Sequence, residues 1–451
     1  MERKTGWEKW DEKTKKEAMD FCEPYKQFLS ENKTERLFVQ NCVKMAERKG
    51  FKPLDSYKKL SPGNSFYKVN KGKLLMMGTM GKTPLVKGCR LIVAHVDSPR
   101  LDLKTSPVYQ DEELCLLKTY YYGGIKKYQW LTIPLAIYGT VVLKNGEKKE
   151  FAIGEKEDDP VLNITDLLPH LGKEQMKKPV SEAFPAESLN IIVGSMPDKK
   201  SKNEKVKNNI LKILKDISGM SEEDFLTGDF HVVPAGRLRD AGLDRSMVLG
   251  YGQDDRVCSY TAFKAILDVS SPEKTSICML VDQEETGSAG ATSATSQFFR
   301  FVLEEIMEKS GLEASDFKNM IQNSHAISAD VNVLLDPNFK EAFEIRNAAR
   351  AGCGVIMLKN TGGAKGGCIE PSPEYLAFMR GLFDRNNVLW QTGEMGKLEL
   401  GGGGTVAAFF ARYNMDTVDC GTGILSMHAP YELTSKADIY STYTAYKAFY
   451  R

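Results

Sequence analysis

Five short stretches of this chain carry side chains that divalent cations take as ligands. They are His95 and Asp97 in AHVDSP, Asp254 and Asp255 in GQDDR, Glu284 and Glu285 in DQEETGS, Asp330 in SADVN, and His428 in SMHAP. Each stretch alone has an ordinary explanation. His95 reads equally as a core histidine satisfied by Asp97, Asp254 and Asp255 as caps of a following helix, the adjacent glutamates as a solvated pair, and Asp330 and His428 as quiet hydrogen-bonding groups. Together they supply a different inventory. A pair of ions ~3.5–4 Å apart needs a bridging carboxylate and further carboxylate or imidazole ligands on each ion, and His95, Asp254, Glu285, Asp330 and His428 suffice. Asp97 is then free to hold His95 in one tautomer and raise its basicity, and Glu284 to face a water as general base. Carboxylate and imidazole donors suit zinc, cobalt or manganese. The nine cysteines include no C-x-x-C pair, which leaves out a zinc ribbon.

Such distant residues meet only if a scaffold brings them to one place. Several lie at the ends of apolar runs of strand length, and open α/β sheets form their sites at the carboxyl ends of strands. KLLMMGTMG and RLIVAHVDS read as buried strands, the second ending at His95. From about Ala235 onward helices and strands alternate: helix DRVCSYTAFKAILDV, strand TSICMLVDQ, helix TSQFFRFVLEEIMEKS, strands AISADVNVL and GCGVIMLKN, helix SPEYLAFMRGLF, strands TVAAFFARY and GTGILSMH, and a last helix after Thr434. Residues 13–48 read as a helical lead-in ended by Gly50. The expected fold is α/β, a mixed sheet flanked by helices. Neighbouring strand residues point opposite ways, so Glu284 and Glu285 serve one site only if the chain bends there, which Thr286 and Gly287 allow.

Between these parts the texture changes. YYYGG is followed by a hairpin signal in VVLKNGEKKEF, where Asn145-Gly146 offers two positive-φ positions, and later by the charged run DKKSKNEKVKNN opening onto the helix ILKILKDI. The expected division is a discontinuous catalytic domain, residues 1–100 and 237–451, with a β-rich inserted domain at residues 101–236. A length of 451 residues is consistent with two such cores.

Composition narrows the partners. Sixty-one basic and sixty acidic side chains leave a net charge of +1, which gives no electrostatic footprint for nucleic acid or an anionic membrane. No apolar span of ~20 residues is present and the amino terminus is charged throughout, so a cytoplasmic protein with reduced thiols is expected.

The ordered set AHVDSPR, PHL, LGYGQDDR, the double glutamate, SADVN and SMHAPYE resembles the M18 family of metalloaminopeptidases, which includes aspartyl aminopeptidase. The resemblance runs over most of the chain. It implies two zinc ions, with Asp254 bridging, His95 and Asp330 completing one ion, and Glu285 and His428 the other; Asp97 supports His95 and Glu284 is the base. It also implies a cis peptide between Asp254 and Asp255. The insertion would make dimer contacts and act as a lid, lending His170 of LLPHLG to the neighbour's site, and the dimers would assemble into a tetrahedral dodecamer that admits short peptides. An acidic first residue on the substrate would need a cation, and Lys359 in GVIMLKN has the matching context. The following TGGAKGG departs from the family pattern, so Lys365 or a neutral pocket stands as the alternative. Two rival classes share parts of these features: a carboxypeptidase or deacylase that reads the substrate's carboxylate through an arginine, and a cage-forming or cargo-binding protein without catalysis.

Overall fold

Alternate residues of strands buried along almost their whole length build two apolar layers, one on each face of a single sheet. In the strands Leu74–Thr79, Cys89–His95 and Thr275–Val281, Leu75, Met77, Ile92, Ala94, Cys278 and Leu280 join one cluster. Their neighbours Leu74, Met76, Leu91, Val93, Ile277 and Met279 join the other. Helices Glu12–Glu31, Glu35–Arg48, Gln253–Leu267 and Lys436–Tyr450 close the first layer with Tyr25, Phe28, Phe38, Tyr260, Phe263, Tyr446 and Phe449. Helix Phe298–Lys309 closes the second with Phe299, Leu303 and Ile306. Each such large side chain contributes ~1.5–3 kcal/mol when fully buried, so the strands are held from both sides.

The structure, a computed structural model, describes residues 4–360 and 369–451. The chain divides into two compact units. The first comprises Met1–Ser98, Leu238–Met427 and Glu432–Arg451; the second comprises Pro99–Arg237 and His428–Tyr431.

In the first unit nine strands run in the order Lys52–Pro53, Ser65–Asn70, Leu74–Thr79, Thr275–Val281, Cys89–His95, His325–Ser328, Asp416–Gly421, Val355–Leu358, Trp390–Gly393. The central four, Thr275–Val281 through Asp416–Gly421, are mutually parallel, while the flanks include antiparallel pairs. This is the mixed α/β sheet expected. Parallel pairing puts Val281, His95 and Ser328 at the same end of the sheet, which is why the acids that follow them in sequence can meet. A smaller sheet, in the order Arg239–Ala241, Met247–Gly250, Glu432–Ser435, Gly423–Leu425, Asn332–Val333, also belongs to this unit. The second unit is a six-stranded antiparallel sheet, in the order Lys148–Ile153, Leu135–Val142, Gly228–Pro234, Arg100–Asp111, Leu114–Tyr122, Ile191–Gly194, with the helix Lys205–Ser218.

Four local expectations change. The lead-in is two helices, because Thr34 accepts the Leu37 N–H and starts a new one at Glu35. The hairpin after Val142 closes through a longer loop in which only Gly146 of the Asn-Gly pair is left-handed (φ 84°), with Asn145 Oδ1 accepting the Glu147 N–H. TVAAFFARY is not a strand: Ala407–Ala411 is helical, and Val406 and Phe410, four residues apart, are buried on one side, Phe410 edge-on to Phe299. The strand of that region is Asp416–Gly421, whose two aspartates break the apolar run that would have announced it.

The helix Gln253–Leu267 opens at Gly252, which is left-handed (φ 71°). A Cβ there would lie 1.4 Å from Arg256 Nη2, a fully buried guanidinium. Gly252→Ala is therefore expected to cost more than the ~1–2 kcal/mol of a left-handed alanine, seen as a fall in melting temperature; unchanged stability would contradict this account of how the Asp254 turn is set.

Candidate metal centre

The strand Cys89–His95 delivers His95, buried, to the sheet's carboxyl edge. Its Nδ1 lies 3.0 Å from the Asp97 carbonyl oxygen and 3.3 Å from Asp97 Oδ1. Both neighbours are acceptors, so this nitrogen carries the proton. The other nitrogen, Nε2, faces Asp254 Oδ1 at 3.4 Å and Asp330 Oδ1 at 3.7 Å. An imidazole nitrogen facing two carboxylate oxygens at those distances has the setting of a ligand with a cation between them.

Asp254 and Asp255 occupy the first turn of the helix Gln253–Leu267 with non-helical dihedrals, and the peptide between them is cis, as the resemblance implied. Asp255 is completely buried and its Oδ2 accepts the His95 N–H at 3.1 Å. Ser98 Oγ donates to the Asp254 carbonyl. The glutamates follow the strand Thr275–Val281 on a tight turn, Glu284–Thr286, entered through left-handed Gln283 (φ 65°) and left through left-handed Gly287 (φ 91°). The bend that the pair required thus begins one residue before it. Asp97 holds the turn, its two oxygens accepting the N–H groups of Glu284 (3.2 Å) and Glu285 (3.1 Å).

Donor atoms of His95, Asp254 and Glu285 lie within 4.8 Å of one another, and so do those of His95, Asp255 and Asp330. The first group is drawn from the expected ligands; the second brings in Asp255, to which no ligand role was given. His428 belongs to the second unit, where its Nδ1 is 2.7 Å from the Gly124 carbonyl oxygen and its backbone is left-handed (φ 64°). His170 is exposed in that unit. Lys359 is exposed after the strand Val355–Leu358. Ile356 pairs with Gly421 and Met357 with Cys420, so that strand travels away from the Gly421 end before reaching Lys359. Lys365 lies outside the described residues.

The electrostatics test whether cations fit. Two like charges 4 Å apart repel by ~4 kcal/mol even at an effective dielectric of 20, and several acids gather here around one imidazole. Burial, with the neighbouring acids adding to it, pushes Asp255 well above the carboxylate range and raises Asp330; both are opposed by His95. Burial pushes Glu284 up to about 8, against the pull of His95 and with the help of Asp330, Asp97 and Asp254. For His95 burial works against the charged ring, but Asp254, Asp330 and Asp97 outweigh it and raise the ring well above its ordinary value. A donor set that crowds anions in this way is matched by divalent cations, which lift the repulsion and take these atoms as ligands.

Sequence reasoning passed over Asp419 and Glu432. Asp419 is buried, accepts from Thr405 Oγ1 at 2.6 Å, and is pushed up to about 7, chiefly by burial. Glu432, also buried, accepts the Asp254 N–H at 3.0 Å. Asp419 sits inside an unrecognised strand, and Glu432 closes the motif SMHAPYE without a spacing of its own to announce it.

A parallel-strand edge that gathers an imidazole and buried carboxylates, with a further acid beside them, defines a metal-dependent hydrolase. The comparisons with known proteins name the family. Residues 28–450 match the family model described as aminopeptidase I zinc metalloprotease (M18). A probable M18 family aminopeptidase of Clostridium acetobutylicum is 45% identical over 455 residues, 99% of this chain and 98% of that one. The crystal structure of an M18 aminopeptidase from Thermotoga maritima matches with a TM-score of 0.96 at 40% identity, covering 100% of this chain and 99% of that chain. That of aminopeptidase I from Clostridium acetobutylicum matches at 0.94 and 43%, with the same coverage. The chain belongs to the M18 family and is a metalloaminopeptidase.

Metal removal is the direct check on the electrostatics. A ligand present at 100 times its dissociation constant stabilises by ~2.7 kcal/mol, so chelation is expected to lower the melting temperature and added zinc to restore it. Indifference of the melting temperature to chelator would contradict the fit.

Proposed function

We propose that this protein removes the first residue of peptides at a centre of two divalent ions held by His95, Asp254, Glu285, Asp330 and His428, with Asp254 shared between them. The observation that carries this reading is the donor group of His95, Asp254 and Glu285, with Asp330 Oδ1 facing the same His95 nitrogen at 3.7 Å. His428 enters through the SMHAP motif and the family resemblance rather than through a measured distance. Zinc is the preferred ion because the family is described as one of zinc metalloproteases; cobalt and manganese suit the same donors. When bound, the ions supply Lewis acidity to the scissile carbonyl and to the attacking water, and an anchor for the free α-amine.

The chain's own groups do the rest. Glu284 takes a proton from the water as it attacks and delivers it to the departing amine. Its elevated proton affinity in the metal-free centre reflects burial first and the acids around it second. Asp97 keeps His95 and the Glu284–Glu285 turn in register. His170, lent by a neighbouring copy, stabilises the developing oxyanion, which would make the dimer the working unit. Exposed Leu167, Leu168 and Leu171 around it give this face the apolar character of a contact surface. A dodecamer is recorded for the yeast aminopeptidase structure that matches at a TM-score of 0.77 and 22% identity; for this chain a dodecamer built from dimers is part of the proposal. The eight described cysteines are free and buried, which suits a cytoplasmic setting.

For the first residue of the substrate we place neutral side chains ahead of acidic ones. The aspartyl aminopeptidase of Caenorhabditis elegans is 25% identical over 405 residues, well below the 45% of the bacterial relative, and Lys359 follows a strand that leads away from the Gly421 end. Peptides opening with Asp, Glu and Leu compare the two readings directly: a higher kcat/KM for Leu is expected, and a dominant acidic preference would favour a pocket cation, Lys359 or Lys365. Glu284→Gln is expected to lower kcat by ~10²–10⁴ with bound metal unchanged. Substantial turnover in that variant would remove the base assignment.

A further inference from the structure

Glu432 is the last residue of SMHAPYE, and no role in the chemistry has been given to it. It opens the strand Glu432–Ser435 and pairs through its backbone with Gly250, a pairing any residue could make. Its side chain does something else. The residue is 1% exposed, and Oε2 accepts the backbone N–H of Asp254 at 3.0 Å. Burying a carboxylate is costly unless its charge is compensated, and a charge-assisted bond from a backbone amide is roughly twice as strong as a neutral one.

The residue before Asp254 is gripped from the same place. Gln253, fully buried, donates through Nε2 to the Glu432 carbonyl at 2.6 Å and to the Val248 carbonyl at 3.2 Å, while its Oε1 accepts from the Tyr25 hydroxyl at 2.9 Å. On the other side of Asp254, Ser98 Oγ donates to its carbonyl. Both backbone polar groups of Asp254 are thereby tied to side chains, outside the ladder of the helix whose first turn it occupies.

We propose that Glu432 is a positioning residue for Asp254: by accepting its amide hydrogen, and by anchoring Gln253 through its own carbonyl, it sets the carboxylate that the two ions share. The inference rests on the reading of Asp254 as a ligand. It predicts a measurable effect on metal binding by a residue that touches no metal. Removing groups that orient ligands typically weakens metal affinity by ~10–100-fold.

The test is a zinc titration of the metal-free full-length protein in competition with a chromophoric chelator, with thermal melts of the metal-free forms alongside. Glu432→Ala is expected to weaken zinc binding ~10–100-fold, while Glu432→Gln, which keeps an acceptor oxygen, stays within a few-fold of the unaltered protein. A folded Glu432→Ala variant that binds zinc as tightly as the unaltered protein would overturn the proposal. So would a tenfold or greater loss in Glu432→Gln, a test that remains decisive should the alanine variant fail to fold. Asp254→Asn in the same titration separates the two levels: undiminished zinc binding there would remove Asp254 from the ligand set, whatever Glu432 does.

Discussion

Carboxylates brought within a few ångströms of one another and out of water resist both neighbours and burial, and the first unit is organised around that conflict. Asp97, Asp254 and Asp255 are all buried at one sheet edge, with Asp330, Glu284 and Glu285 half-buried beside them. Left alone, such a set takes up protons, as the raised affinities of Asp255, Asp330 and Glu284 record. The alternative to protonation is cations, and the geometry is suited to them because His95 turns its Nε2 toward the same oxygens. A scaffold that tolerates this must be rigid, since relaxation apart by an ångström or two would relieve the repulsion and lose the site.

Rigidity comes from where the acids are attached. Parallel strands packed on both faces leave little freedom at their carboxyl ends, and the groups that follow are fixed by hydrogen bonds between side chains and backbone rather than by side-chain packing alone. Asp255 accepts from the His95 amide, Glu432 from the Asp254 amide, and Ser259 Oγ donates to the His95 carbonyl at 2.6 Å. The helix Gln253–Leu267 that bears Asp254 and Asp255 is buried almost all round, as expected of a helix held between layers rather than laid on a surface.

The sequence made the scaffold readable where periodicity is strong. Thr275–Val281 and Cys89–His95 are almost uninterrupted apolar runs, and nothing competes with a buried strand there. Where polar residues enter a strand, as Asp416 and Asp419 do, the pattern disappears; where Val406 and Phe410 pack four apart among alanines, an aromatic stretch that looks extended is helical. Candidate ligands were visible because histidines and paired acids stand out at strand ends. Their supports were not. Glu432 and Asp419 act through contacts with residues far away in sequence, Asp254 and Thr405, and a lone acid carries no spacing that predicts such a partner.

Adjacency in sequence does not make Glu284 and Glu285 equivalent. Both amides point to the oxygens of Asp97, so the backbone of the turn is fixed at two consecutive residues. Successive side chains on a turn of three residues per revolution leave it about 120° apart. One of them, Glu285, enters the donor group with His95 and Asp254, and Glu284 enters neither group. A carboxylate beside the proposed ions that is not consumed as a ligand would keep its oxygens for a proton, which is the requirement for a base. Asp97 also fixes the His95 tautomer, so one carboxylate sets the ligand imidazole and the neighbouring turn in the same frame. In the proposed assignment the separation of ligand from base follows from the turn's geometry, and Asp97, which holds that turn through both amides, is given neither role.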